Sequence, residues 1–171
     1  MGVSWTDLNS QVRAWRGIAS SQDFTKLVAT VFGDHIYTSS DSGVTWTALA
    51  GSTARNWGGI TASSDFTKLA AVVNGGLIYM SSDSGTTWNA LASEIKAWSG
   101  ITASPNFTKM AASGVNGDGA GYIFQSDDTG NTWTSNGAID NALAIAGGAL
   151  TVTPCPAGMY YQNNPTMVCP Y

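Results

Sequence analysis

The chain repeats itself. A fixed period of about 40 residues constrains the fold more than any local propensity, because each copy must be one supersecondary unit that buries its apolar face on a neighbour. Arg13-Ala-Trp15-Arg-Gly17-Ile18 returns as Arg55-Asn-Trp57-Gly-Gly59-Ile60 and as Lys96-Ala-Trp98-Ser-Gly100-Ile101. Six residues beyond each isoleucine stands Phe24-Thr-Lys26-Leu27, then Phe66-Thr-Lys68-Leu69, then Phe107-Thr-Lys109-Met110. An apolar run and the pairs Ile36-Tyr37, Ile78-Tyr79 and Ile123-Phe124 follow. Each copy closes on one more string: Ser39-Ser-Asp41-Ser-Gly43-Val-Thr45-Trp46, Ser81-Ser-Asp83-Ser-Gly85-Thr-Thr87-Trp88 and Ser126-Asp-Asp128-Thr-Gly130-Asn-Thr132-Trp133. The central aspartates lie 42 and 45 residues apart, and Asn116-Gly-Asp118-Gly-Ala-Gly121 accounts for the longer interval as an extended turn.

Within a copy the pattern is β throughout. Short segments of Val, Ile, Thr, Tyr and Trp alternate with Gly, Asp, Ser and Asn clusters, and no helical period is sustained. The second copy reads as four strands, Trp57–Ala62, Leu69–Val73, Leu77–Ser81 and Thr87–Leu91, with a hairpin turn at Asn74-Gly75-Gly76. Full copies span about 9–49, 50–91 and 92–135. Residues 1–8 match the end of such a copy and 136–153 the start of one, so 1–153 is expected to be one repeat domain. All seven tryptophans and six of the seven basic residues sit at fixed repeat positions, which argues for scaffold over chemistry.

The closing string reads as a hairpin that ties itself together. The Asp carboxylate accepts from turn N–H groups, Gly provides a positive φ, the Ser and Thr hydroxyls bond locally, and Trp packs back over the hairpin. These strings resemble the Asp-box of bacterial-neuraminidase-type repeats, found in sialidases, sortilin-like receptors, certain glucanases and photosystem assembly factors. The resemblance covers about residues 1–135 and implies β-propeller blades, with a β-trefoil as the alternative fold. It gives Ser39, Asp41, Gly43, Thr45 and Trp46, with Ser81, Asp83, Gly85, Thr87 and Trp88 and with Ser126, Asp128, Gly130, Thr132 and Trp133, a structural role only. The sialidase chemistry does not carry over. It needs three arginines on a substrate carboxylate, a tyrosine nucleophile with a glutamate partner and an acid/base aspartate. Of the arginines here, Arg13 and Arg55 hold the repeat position filled by Lys96, leaving Arg16, and Glu94 is the only glutamate. A glycosidase also needs two positioned carboxylates, so no enzyme activity is expected.

Other candidates remain open in kind. Arg13, Arg55 and Lys96 either grip an anionic ligand or stack on aromatics and pair with acids of the adjacent unit. Trp15, Trp57 and Trp98 either line weak sugar sites whose avidity comes from repetition or fill the core between units. His35, the lone histidine, reads as a solvated turn residue. Asn106-Phe107-Thr108 is an N-x-[ST] sequon and a glycan site if the protein is secreted. No metal or cofactor is expected: Asp118 alone cannot supply a calcium shell.

Seven Lys and Arg against eleven Asp and Glu leave no surface for tracking phosphates, so nucleic acid is excluded as a partner. No apolar stretch is long enough to span a membrane, and the first residues lack the pattern of a signal peptide. After Thr153 the repeat gives way to Pro154-Cys155-Pro156-Ala-Gly158-Met-Tyr160, ending Val168-Cys169-Pro170-Tyr171. This tail, 154–171, resembles the start of a cysteine-rich, ephrin-receptor-like extracellular module. Paired, Cys155 and Cys169 would close a loop whose chain entropy is worth about 3 kcal/mol. The expectation is a non-enzymatic extracellular or cell-surface module that associates with itself, by strand complementation into a filament or larger surface assembly, or with further repeats. A multivalent carbohydrate-binding propeller lectin is the first alternative and a fragment of a glycosidase the second.

Overall fold

The computed structural model describes residues 11–117 and 119–138, with side chains as far as 135. The expected terminal strands at 1–8 and 142–153, Asp118 of the long turn and the tail with Cys155 and Cys169 lie outside the described residues.

Twelve strands and no helix are present among the described residues. They form three antiparallel meanders. The first is β1 (Trp15–Ser20), β2 (Leu27–Asp34), β3 (Ile36–Ser39) and β4 (Thr47–Ala48). The second is β5 (Arg55–Ala62), β6 (Leu69–Gly76), β7 (Ile78–Ser81) and β8 (Asn89–Ala90). The third is β9 (Lys96–Ala103), β10 (Met110–Val115), β11 (Gly121–Ser126) and β12 (Thr134–Ala138). The four strands expected in the second copy are therefore present, although the fourth starts after Trp88. Between β10 and β11, Asn116 N–H donates to Ala120 O (3.1 Å) and Gly119 N–H to Asn116 O (3.0 Å).

Consecutive units join in two ways. The end of β2 pairs with the start of β5 at Phe32↔Asn56 and Asp34↔Arg55, and β6 pairs likewise with β9 at Asn74↔Ala97 and Gly76↔Lys96. The other contact is face to face. The second strand of a unit is buried on both sides, as in Leu69-Ala70-Ala71-Val72-Val73, which is what a strand sandwiched between two neighbours requires. One core forms where Val28, Ile36 and Leu49 of the first unit meet Trp57, Ile60, Phe66, Leu69 and Ala71 of the second. The other repeats it, with Ala70, Val72, Ile78 and Leu91 against Trp98, Ile101, Phe107, Met110 and Ala112. Each unit thus has a tryptophan-bearing leading face and an aliphatic trailing face.

A bulge in each first strand brings the units close. In β1 the two residues Arg16-Gly17 lie between the paired positions Trp15 and Ile18, and β5 and β9 break register at the same place. A two-against-one bulge of this kind re-aims the backbone, here so that the first strands of neighbouring units touch at glycine. A Cβ on Gly59 would stand 2.8 Å from Gly100 Cα, and one on Gly17 would stand 3.0 Å from Gly59 Cα. The Thr30 hydroxyl crosses the same seam to Gly58 O.

Candidate functional site

The turn-forming acids are fully engaged inside their own hairpins. Ser39 Oγ donates to Asp41 Oδ1 (2.8 Å) and accepts from Gly43 N–H (2.8 Å). Thr45 donates its N–H to Oδ1 (2.9 Å) and its hydroxyl to Oδ2 (2.6 Å), while Trp46 Nε1–H closes on Gly43 O (3.0 Å). The same five bonds recur around Asp83 and Asp128. Bonds from the threonine hydroxyl, the threonine N–H and the serine hydroxyl, in that order, hold all three carboxyls at about pH 2. The turn needs left-handed backbone at two residues, not one: Ser42 has φ 59° beside Gly43 at 92°, and Ser84 with Gly85 and Thr129 with Gly130 repeat it.

A second tie was hidden in the sequence. Ser21 Oγ donates to Asp23 Oδ1 (2.6 Å) and accepts from Lys26 N–H (3.0 Å), and Thr25 gives its N–H and its hydroxyl to the same carboxylate. Ser63, Asp65, Thr67 and Lys68 repeat the arrangement. In the third unit Asn106 takes the acid's place, and its Oδ1 accepts from Ser104 Oγ, Thr108 N–H and Thr108 Oγ1. The signal was the fixed Ser-x-Asp/Asn-Phe-Thr-Lys spacing.

The aromatic residues of the two repeat positions pair within units. Trp15 lies 5.3 Å from Trp46, Trp57 5.8 Å from Trp88 and Trp98 6.3 Å from Trp133. Trp57 and Trp98 are buried between units, so neither ring faces solvent. The basic residues stack on a ring of their own unit: Arg13 on Tyr37 (4.4 Å), Arg55 on Tyr79 (4.6 Å) and Lys96 on Phe124 (4.9 Å). Their acids, expected from the adjacent unit, also come from their own: Arg13 binds Asp34 at 3.0 Å and Lys96 binds Glu94 at 2.7 Å. His35 is not isolated in its turn. Its ring Nδ1 lies 2.9 Å from Asp34 Oδ1, and its N–H donates to the same oxygen at 2.8 Å. With Tyr37 Oη donating to Oδ2 (2.9 Å) and Arg13 alongside, these bonds, His35 first, draw the Asp34 carboxyl down to about 2.

Charge is sorted along the strands. The end carrying the two ties holds Asp23, Asp41, Asp65, Asp83, Asp127 and Asp128 with Lys26, Lys68 and Lys109. The opposite end holds Arg13, Arg16, Arg55 and Lys96 with Asp34 and Glu94. Among the described residues no cluster of three His, Cys, Asp or Glu is arranged to hold a metal, and no helix is long and apolar enough to cross a membrane.

On the first unit's leading face Leu27, Ala29 and Val31 are buried as in the other units, and the difference lies at two positions. Ile18 and Phe24 are 64% and 68% exposed, whereas their counterparts Ile60 and Phe66 are 6% and 5% exposed and Ile101 and Phe107 are 5% and 0%. The sequence is the same at these positions; only the neighbour is missing among the described residues.

No family model and no curated protein matches the chain. Solved structures do. A protein of the nidogen/laminin complex is 16% identical, with a TM-score of 0.62 over 74% of this chain and 49% of that one. YCF48 bound to D1 peptide is 15% identical, with a TM-score of 0.57 over 72% of this chain and 41% of that one. The GH74 enzyme of Niastella koreensis is 26% identical, with a TM-score of 0.52 over 71% of this chain and 17% of that one. The chain covers less than half the length of each. All three are β-propeller proteins, and the fold of this chain is all-β and propeller-like, its three meanders being successive blades.

Proposed function

We propose that the chain is a non-catalytic assembly module of Asp-box blades, extracellular or at a cell surface, whose first blade accepts a further blade of the same kind from a second copy. The observation that carries this reading is the exposed pair Ile18 and Phe24, on a face whose two counterparts in the same molecule are seated on an aliphatic trailing face. The internal seams show the chemistry of the occupant: an aliphatic strand pair with a leucine at the rim, as in Val28, Ile36 and Leu49. By register, Ala111 and Ile123 stand at the matching strand positions of the third blade's trailing face, where the sequence has Asn136 in the leucine's place. Leading face on trailing face is a heterologous contact, so it propagates as a filament unless the rotation closes a ring.

The side chains left over support a scaffold. The hairpin aspartates are saturated by their own turns, and Trp57 and Trp98 are inside the core. Two of the propeller neighbours are described as parts of complexes with other polypeptides, which is consistent with blades used for binding. Sedimentation velocity of the full chain across a hundredfold concentration range tests the reading. Growth of larger species that Phe24→Asp suppresses supports it. A monomer at every concentration, or association indifferent to Phe24→Asp, contradicts it.

A further inference from the structure

The basic end of the molecule contains one carboxylate site that is filled from within and a copy of it that is not. In the first blade the Asp34 carboxylate rests between Arg13 Nη1 (3.0 Å) and Tyr37 Oη (2.9 Å), with Arg13 stacked on the Tyr37 ring. In the second blade Arg55 stacks on Tyr79 in the same way, at 4.6 Å, but the residue at the position of Asp34 is Gly76. Among the described residues Arg55 has no ion-pair partner and Tyr79 Oη no hydrogen bond. Asp34 faces Arg55 across the β2/β5 ladder, yet both of its oxygens are held by Arg13, Tyr37 and His35. The third blade does not repeat the vacancy, because Lys96 is bound to Asn116 Oδ1 (2.6 Å) and Glu94, and Phe124 has no hydroxyl.

We propose that Arg55 and Tyr79 bind the side-chain carboxylate of an aspartate or glutamate on a polypeptide partner, in the place that Asp34 occupies in the first blade. A guanidinium fixed by a ring presents its donors without further ordering, which favours a carboxylate over a neutral amide. The ring on which a sugar would stack at this place, Trp57, is buried, which favours an acidic peptide over an acidic glycan.

Titration of the full chain with acetyl-aspartyl-methylamide, followed by NMR at the Arg55 Nε–H and Leu77 N–H signals, tests this. Saturable shifts are expected, weakened at least tenfold by Arg55→Gln and a few-fold by Tyr79→Phe, and absent with the asparagine analogue. Gly76→Asp is expected to abolish them by supplying the carboxylate internally; its Cβ would stand 2.7 Å from Val73 Cγ1, so Asp34→Gly is the complementary variant. That change opens the first copy and adds a second set of shifts at Arg13. Equal response to the asparagine analogue, indifference to Arg55→Gln, or saturation by methyl glucuronide but not by the aspartyl probe would each overturn the proposal.

Discussion

An aspartate that accepts three hydrogen bonds while exposed to water stabilises the turn more in its charged form than in its protonated one. The carboxyls of Asp23, Asp41, Asp65, Asp83 and Asp128 sit at about 2 in the folded chain, against about 3.9 for an unfolded aspartate. Their contribution is therefore complete above pH 4 and is lost as pH falls through 2. Melting temperature is expected to be nearly flat from pH 7 to 4.5 and to fall steeply from pH 4 to 2. Asp83→Asn, which keeps the shape and loses the charge, is expected to lower the melting temperature at pH 7 by a few degrees and to flatten the acid limb. A full-sized acid limb in Asp41→Asn, Asp83→Asn and Asp128→Asn combined would place the acid sensitivity elsewhere. The hydrogen bonds around Asp41, Asp83 and Asp128 were legible from the Ser-x-Asp-x-Gly-x-Thr-Trp string, since donors and acceptor are close in the chain, whereas those around Asp23 and Asp65 were not read from theirs. The own-blade acids of Arg13 and Lys96 were not, because a repeat says which residues are equivalent and leaves open which of two equivalent neighbours each one meets.

A strand that is apolar on both sides gives no alternation from which to assign faces. The period of the repeat and its turn residues fixed the number of strands and their order in Leu69–Gly76 and its neighbours, but the apolar run could not reveal that Ala70 and Val72 turn to one blade while Leu69 and Ala71 turn to the other. The close glycine approach was equally hidden, since it depends on a bulge. Gly59→Ala forces a Cβ to within 2.8 Å of the next blade's backbone and is expected to destabilise the fold by about 1–3 kcal/mol. Gly117→Ala, where nothing lies within 4 Å, should change it by less than about 0.5 kcal/mol; urea denaturation of both variants makes the comparison. Trp98→Ala empties a buried seam and should cost about 3–5 kcal/mol. The same change at half-exposed Trp15 should cost clearly less, and equal losses would mean that the first blade's leading face is also covered.

Among the described residues, three successive blades leave a leading and a trailing sheet face at the two ends, which a protein of this architecture has to cover. Charge sorting adds direction: acids ring the tie-bearing end, and arginines with Lys96 mark the other. A copy that docks leading face to trailing face keeps those ends aligned along the assembly, so that a row of Arg55 sites would be displayed on one side. Hydroxyl-radical footprinting of the full chain at low and high concentration measures the docking directly. Ile18 and Phe24 should be oxidised in dilute solution and protected when concentrated, while Trp57 and Trp98 stay protected throughout. Undiminished oxidation of Phe24 at the highest concentration would contradict the idea that a second copy seats on this face.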